Sequence, residues 1–118
     1  MLVFHRKSCP SCLRLAREVR DNQKVIKLSK HFVMVSCDGN EPNSELFTFD
    51  GNYFPRVFFV YPNNTIDFQF VSNPLNFQYR YFYRGADHLI GRMKDFLKLL
   101  KEEHSSQINS EKQEEVEL

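Results

Sequence analysis

The sequence has no apolar run long enough to span a bilayer, and its first residues lack the basic, apolar and small-residue pattern of a secretory signal. We therefore expect no membrane insertion and no signal peptide in the chain as given. Internal repeats are absent as well, and neither charge sign dominates: 16 basic and 15 acidic residues give a net charge of +1. Because the basic surplus is a single charge and no recognised binding motif is present, we expect no nucleic-acid partner.

Cysteine is also scarce, with three residues among 118. One of them, Cys37, ends the mainly apolar run 32–37, which predicts a half-buried strand residue rather than a reactive thiol. The hydrophobic fraction of 42% is enough for one soluble domain with a sizeable core.

The other two cysteines, Cys9 and Cys12, enclose a Cys-Pro-Ser-Cys segment that follows an apolar, strand-like run and begins a helix-like one. The unpaired N–H groups and the positive dipole end of a helix N-terminus favour a thiolate, which is the nucleophilic form of cysteine. Arg6 and Lys7 add positive charge, and Pro10 suits the first helical position. The pattern predicts a thiol–disulfide active site in which Cys9 attacks and Cys12 closes the disulfide.

Two other interpretations of the cysteine pair stay open. A zinc site would need two further ligands from Cys37 or the four histidines, and no second pair of residues has the usual ligand spacing. A purely structural disulfide would close so short a loop that it stabilises little.

Hydrophobic periodicity predicts the order of the secondary-structure elements. The predicted elements are strand 2–5, helices 10–20 and 23–30, strand 32–37, loop 38–54, hairpin strands 56–61 and 65–70, loop 71–80, an aromatic run 81–83 and helix 86–103. This order predicts an α/β fold of the thioredoxin type, a four-stranded mixed sheet flanked by helices. Residues 104–118 are polar and acidic, so we expect a disordered tail after a domain of residues 1–103.

Apolar spacing also predicts the inner faces of the first two helices. They are Cys12, Leu13, Ala16 and Val19 in the first helix, and Val25, Ile26 and Leu28 in the second.

Several further segments carry a more specific resemblance. They are His31-Phe32-Val33-Met34-Val35, Glu41-Pro42, Asp50-Gly51-Asn52-Tyr53-Phe54-Pro55-Arg56, Tyr61-Pro62 and Tyr79-Arg80-Tyr81-Phe82-Tyr83. The chain resembles the small thioredoxin-domain oxidoreductases of the endoplasmic reticulum, to which the anterior gradient proteins are related, over residues 2–103. The resemblance implies Cys9 as the nucleophile, Cys12 as the resolving thiol and Pro55 as a cis-proline against the dithiol.

The chain departs from the family pattern in two ways. Ser8 stands where the family has a tryptophan, and its presence removes an apolar wall beside the sulfur. The family domain also begins with a strand and a helix that this chain does not contain. We therefore expect strand 32–37 to be an exposed, apolar edge.

The expected substrate is a cysteine-containing polypeptide in oxidative protein folding, with exchange through a mixed disulfide at Cys9. Pro10, Phe54 and Pro55 are expected to form a shallow apolar surface, on which the backbone of Phe54 pairs with an extended substrate strand. His5 has two interpretations, as a proton-transfer group or as an ordinary strand-end residue. We expect no metal and no cofactor, with glutathione as a candidate redox partner.

Two short signals agree with the lumen of the endoplasmic reticulum, which the resemblance implies as the location. The last four residues, Glu-Val-Glu-Leu, resemble a K-D-E-L retrieval signal and predict a retrieval receptor as a partner. Asn63-Asn64-Thr65 matches the acceptor pattern for N-glycosylation.

Two alternative functions stay open. A glutaredoxin-like enzyme acting on glutathione mixed disulfides would agree with the proline after Cys9 and with Gly85-Ala86-Asp87 before the last helix. A non-catalytic client-binding module would not need both cysteines, so the presence of Cys12 argues against it.

Overall fold

The secondary structure is an alternation of short strands and helices. A computed structural model of the chain describes residues 1–39, 44–75 and 78–117, and of residues 104–117 it describes the backbone alone. The elements are β1 (Leu2–His5), α1 (Pro10–Arg20), α2 (Gln23–Ser29), β2 (Val35–Asp38), a 3-10 helix (Glu45–Phe47), β3 (Arg56–Val60), β4 (Ile66–Asp67) and α3 (Ala86–Glu117). No helix among the described residues is long and apolar enough to cross a membrane.

The described strands form one mixed sheet in the order β2-β1-β3-β4. β1 pairs with β2 in parallel and with β3 in antiparallel fashion, and β3 pairs with β4 in antiparallel fashion. In this register Phe4 lies opposite Arg56, while the next residue, His5, lies opposite Asp38. The segment that leaves β1 therefore meets the segment that enters β3, and this topology brings two distant parts of the chain to one end of the sheet.

The central strand β3 explains why the sheet has a core on both faces. Val57 and Phe59 pack with Met93 and Phe96 of α3 on one face, whereas Phe58 packs with other aromatic residues on the opposite face. Successive strand residues point to opposite faces, so a strand covered on both sides is apolar throughout. Each fully buried phenylalanine contributes about 1.5–3 kcal/mol of hydrophobic stabilisation.

Local capping signals set the ends of the first two helices. Pro10 occupies the first position of α1, where its missing N–H costs nothing. Asn22 caps α2, because its side-chain oxygen accepts hydrogen bonds from the amides of Lys24 and Val25 at 3.0 and 3.3 Å. The chain therefore breaks between α1 and α2 at the position that the sequence predicts.

The inner face of α1 differs from the predicted one. Leu13 is 48% exposed and Ala16 is also exposed, whereas Leu15 is buried beside Cys12. Residues 12, 15 and 19 follow the three-to-four residue spacing of one helix face, and residue 13 lies about 100° away from residue 12. In α2 the prediction for Ile26 was wrong for the same reason, since Ile26 is exposed.

Strand lengths also differ from the predicted ones. β2 begins at Val35 rather than at residue 32, and it is an edge strand whose flanking Val33 is 80% exposed. β4 covers two residues instead of six, because the Asp67 side chain accepts hydrogen bonds from the amides of Gln69 and Phe70 and turns the chain out of the sheet. Of the predicted loop 38–54, residues 40–43 lie outside the described residues.

Helix α3 is longer than predicted, because its backbone stays helical through Glu117 where a disordered tail was expected from residue 104. Residues 104–117 include four glutamates, two glutamines and one lysine, which have high helix propensity, and this composition explains the difference. The division into a domain of residues 1–103 and a separate tail stays a prediction.

Candidate active site

The cysteine pair lies at the N-terminus of α1 as a disulfide, with 5.2 Å between the two Cα atoms. Cys9 is the N-cap residue, and its sulfur accepts a hydrogen bond from the backbone amide of Cys12 at 3.1 Å. Cys9 is partly exposed, whereas Cys12 is buried. In the reduced state the same amide and the helix dipole favour a thiolate on Cys9, and the accessible sulfur is the one that can be attacked or can attack.

The loop before β3 faces the disulfide. The carbonyl oxygen of Phe54 lies 3.6 Å from Sγ of Cys9, and the Phe54–Pro55 peptide bond is cis. Pro55 itself is fully buried, and Phe54 is partly buried. Of the predicted apolar substrate surface, the ring of Pro55 is therefore not at the surface, while Pro10 is exposed at the start of α1.

Two guanidinium groups lie over the ring of Phe54. The Cζ atom of Arg6 lies 4.5 Å from the ring centre, and the Cζ atom of Arg56 lies 4.7 Å from it. Arg6 is exposed on the segment between β1 and the dithiol, whereas Arg56 is 0% exposed. Such cation–π contacts are individually worth about 0.5–2 kcal/mol, more when the cation is desolvated.

Arg56 also holds the loop by hydrogen bonds. Its Nη1 atom donates to the side-chain oxygen of Asn52 at 3.2 Å and to the carbonyl oxygen of Tyr53 at 2.8 Å. Burial lowers the pKa of the Arg56 guanidinium, although arginine stays charged in proteins. Arg56, which follows the cis peptide bond, therefore folds back and holds Asn52, Tyr53 and Phe54 in place.

A second polar network ties the same loop to the segment after β4. The Tyr53 hydroxyl donates to the carboxylate of Asp50 at 2.7 Å and accepts from the backbone amide of Tyr81 at 3.0 Å. The backbone amide of Arg80 donates to the same carboxylate at 2.7 Å, and the Nε atom of the Arg80 side chain lies 3.9 Å from Oδ1 of Asp50. Sequence reasoning missed this network, because its partners lie about 30 positions apart and no local pattern marks them.

An apolar cavity of about 440 Å³ lies behind the buried cysteine. Its walls include Cys12, Val3, Leu15 and Pro55, and none of its lining residues carries a carboxylate. The polar groups at its edge include His5, whose Nε2 atom makes a hydrogen bond with the hydroxyl of Ser36. The cavity's other polar lining residues include Arg6 and Lys7, so no carboxylate in the lining can take a proton from Cys12.

The third cysteine lies elsewhere. Cys37 is a free, buried residue of β2 that packs among Phe4, Phe47 and Phe58 on the other face of the sheet. Burial raises the pKa of the Cys37 thiol. Its burial agrees with the sequence interpretation, and the part of the chain that the structure describes contains no cluster of three or more His, Cys, Asp or Glu side chains able to hold a metal ion.

The fold and the cysteine pair define a protein of the thioredoxin-like class. Residues 1–62 match a family model described as thioredoxin-like, and the chain belongs to that family. This membership supports a thiol oxidoreductase type of role.

Among characterised proteins, the chain is similar to anterior gradient proteins. Anterior gradient protein 2-B of Xenopus laevis is 34% identical over 105 residues, which cover 87% of this chain and 62% of the relative. The human anterior gradient protein 2 homolog is 31% identical over 103 residues, which cover 87% of this chain and 58% of the relative. Mouse anterior gradient protein 3 is 27% identical over 104 residues, which cover 87% of this chain and 62% of the relative. The chain thus spans less than two thirds of the length of these relatives.

Proposed function

We propose that the chain is a thiol–disulfide oxidoreductase that acts on cysteines of polypeptide substrates through its Cys-Pro-Ser-Cys segment. The observation that carries this proposal is the position of Cys9, which caps α1, receives the Cys12 amide and faces the carbonyl oxygen of Phe54. A purely structural disulfide would have no need of a partly exposed cysteine at a helix N-terminus.

Reduction of a substrate disulfide takes two steps. The thiolate of Cys9 attacks one substrate sulfur, so that a mixed disulfide forms, the substrate S–S bond breaks and the departing thiolate takes a proton from water. Cys12 then loses its proton and attacks Sγ of Cys9, which forms the Cys9–Cys12 disulfide and releases the second substrate thiolate. The substrate gains two electrons and the dithiol loses them. The protons balance through solvent, because Cys9 and Cys12 each release one on forming their thiolates and each departing substrate thiolate takes one up. Oxidation of a substrate dithiol is the same sequence in reverse.

Resolution by Cys12 is the slower step under this proposal. Cys12 is buried beside a cavity whose lining contains no carboxylate, so no carboxylate there takes the proton that Cys12 must lose in this step. His5 stands at the edge of the cavity and is the candidate proton acceptor. Its bond with Ser36 is equally consistent with an ordinary strand-end residue.

The proposed setting is oxidative protein folding in the lumen of the endoplasmic reticulum. It is supported by the resemblance to thioredoxin domain-containing protein 12, a small oxidoreductase of that compartment, and by the terminal Glu-Leu pair as a retrieval address for a receptor. Cysteine-containing clients are the proposed substrates, with no metal and no tightly bound cofactor.

The glutaredoxin-like alternative gains no support from the start of α3. The backbone amide of Ala86 donates to the side-chain carboxylate of Glu18 at 3.4 Å. The helix N-terminus at which a glutathione carboxylate would bind therefore already faces an acidic group. Glutathione remains a proposed redox partner through thiol exchange at Cys9.

The decisive experiment is a maleimide gel-shift titration of the Cys37→Ser protein across glutathione redox ratios. We expect one cooperative two-thiol transition, near the roughly −180 to −210 mV poise of the endoplasmic reticulum for an oxidase or isomerase and lower for a reductase. Two thiols that titrate independently would contradict the proposal. The non-catalytic module would be favoured if the unsubstituted protein showed no exchange activity and the Cys9→Ser/Cys12→Ser protein bound unfolded clients equally well.

A further inference from the structure

We infer that the site selects substrates that carry a carboxylate within one or two residues of the reactive cysteine, and that Arg6 is the residue that recognises it. This inference rests on the proposed function and names the substrate class of the same site. It starts from the side chains that surround Phe54, the residue whose carbonyl oxygen lies 3.6 Å from Sγ of Cys9.

The first step concerns the surface beside the accessible sulfur. Arg6 lies over the Phe54 ring at 4.5 Å and Arg56 lies over it at 4.7 Å, so this partly buried ring offers a substrate less apolar surface than the sequence predicts. Arg56 is buried and Arg6 is exposed, so the group that meets solvent at this point is the guanidinium of Arg6. The neighbouring Pro55 is buried and adds no exposed ring.

The second step concerns how firmly this cation is held. An exposed arginine ordinarily samples many rotamers, and a substrate that orders it must offset that entropy. Here the guanidinium of Arg6 contacts the ring of Phe54. Arg56 in turn holds the backbone before Phe54 by its hydrogen bonds to Asn52 and Tyr53. Arg56 is thus a positioning residue, and Arg6 is partly preorganised for an anion.

The third step is the charge balance around the entrance. Lys7 is exposed next to Arg6, and the first turn of α1 contains no acidic residue. The carboxylate of Asp50 is occupied by Tyr53 and the Arg80 amide, while Asp38 is an exposed carboxylate opposite His5 at the end of β2. Among the residues that the structure describes, the side chains beside Phe54 on this face are therefore mainly cationic, which complements a substrate carboxylate.

The shared ligand chemistry is a carboxylate near a cysteine sulfur, and it has two sources. A polypeptide supplies it as an aspartate or glutamate beside the cysteine, at the Cα spacing of about 3.8 Å per residue. Glutathione supplies it as its terminal carboxylates. An exposed cation and anion about 5 Å apart in water attract each other enough to change a rate by about fourfold, and the effect fades at high salt.

The test measures single-turnover exchange between the reduced protein, in the Cys37→Ser background, and peptides that carry thionitrobenzoate on one cysteine. Two peptides differ only by aspartate or asparagine next to that cysteine, and release of thionitrobenzoate is followed by absorbance. We expect the aspartate peptide to react about fourfold faster at low salt and equally fast in 1 M salt. Because the ratio compares two substrates of one protein, a change in the reactivity of Cys9 itself cancels.

Arg6→Gln is the test variant and Arg17→Gln, which removes an exposed charge farther along α1, is the matched control. We expect the ratio to fall to about one in Arg6→Gln and to remain about fourfold in Arg17→Gln. A ratio that survives in Arg6→Gln would overturn the inference. So would a ratio of one in the unsubstituted protein together with a rate of glutathione disulfide reduction that does not depend on Arg6.

The same variants tested with glutathione disulfide separate the two sources of carboxylate. An Arg6-dependent rate with the peptides identifies polypeptides as the selected substrates, whereas dependence confined to glutathione disulfide assigns the same recognition to glutathione. Equal exchange rates with all peptides, together with a glutathione disulfide rate that does not depend on Arg6, would contradict the selectivity and leave the proposed function intact. If neither the peptides nor glutathione disulfide reacted, the result would contradict both the proposed function and the selectivity.

Discussion

Tyr53 donates a hydrogen bond of 2.7 Å to the carboxylate of Asp50, three residues earlier in the chain. The same hydroxyl accepts the backbone amide of Tyr81 at 3.0 Å. The loop that faces Cys9 is therefore anchored at its base to a segment 28 residues farther along. This anchor stabilises the candidate site, because it restrains the residue directly before Phe54, whose carbonyl oxygen lies 3.6 Å from Sγ of Cys9.

Tyr53→Phe is expected to lower the free energy of unfolding by about 1–3 kcal/mol, because it leaves the Tyr81 amide and the Asp50 carboxylate each without one partner. Urea denaturation of the oxidised protein measures the change. The exposed Tyr79→Phe substitution is the control, with an expected change within about 0.5 kcal/mol. Coincident unfolding curves for Tyr53→Phe and the unsubstituted protein would show that the network is not a stabilising contact.

Arg56→Lys is expected to be destabilising although it keeps the positive charge. Lysine cannot reproduce the planar contact with Phe54 or both Nη1 hydrogen bonds, to Asn52 and to the Tyr53 carbonyl. We expect a loss of about 1–3 kcal/mol in the free energy of unfolding, measured in urea. Arg20→Lys, an exposed exchange at the end of α1, is expected to change it by less than about 0.5 kcal/mol. Equal losses for the two variants would contradict the role assigned to Arg56.

The parts of the fold that were predictable carry local signals. β1, the start and end of α1 and the start of α3 agree with the sequence because proline, capping and apolar spacing act within a few residues. The position of Cys9 at the helix N-terminus follows from the same signals. The cysteine pair and the loop before β3 could therefore be identified as candidate parts of one site.

The remaining features depend on tertiary contacts. The arginine after Pro55 gave no sign that it would be buried under Phe54, since arginine is mostly exposed in proteins. The cation–π contacts on Phe54 require Arg6 and Arg56, which are 50 positions apart in the sequence, to meet on one ring. The short β4 results from a side-chain turn at Asp67 that competes with the sheet, which a pattern of apolar residues does not reveal.

Cys37 is expected to react slowly in the folded protein. Its sulfur is buried among aromatic rings, and burial raises the pKa of the thiol, so accessibility and thiolate fraction are both low. In a Cys9→Ser/Cys12→Ser protein, we expect maleimide to modify Cys37 more than about a hundredfold more slowly in buffer than in concentrated urea, since opening must precede reaction. The same rate in both solvents would place Cys37 at the surface and contradict the structure.

Stability is expected to fall in alkaline solution. Burial raises the pKa of Tyr81 from its ordinary value near 10 to about 12, and burial also raises the pKa of Tyr53 and Tyr83. The unfolded chain therefore releases these protons at lower pH than the folded chain does. The stabilising contribution is fully present below pH 10 and is lost as pH rises toward 12. Urea midpoints between pH 9 and 12 should decline less steeply for Tyr81→Phe than for the unsubstituted protein, and parallel declines would argue against the raised pKa of Tyr81.

Cys12→Ser is expected to trap the mixed disulfide, because Cys9 remains accessible while the group that resolves the intermediate is gone. After incubation with a disulfide-containing client, non-reducing gel electrophoresis should show a covalent adduct that a reductant removes. Cys9→Ser is the matched control and should give no adduct, since the sulfur of Cys12 is buried. Adducts of equal yield in both variants would show that the two cysteines are not distinguished as nucleophile and resolving thiol. Rapid turnover of glutathionylated clients by Cys12→Ser would instead indicate one-thiol chemistry, which favours the glutaredoxin-like alternative over the proposed dithiol mechanism.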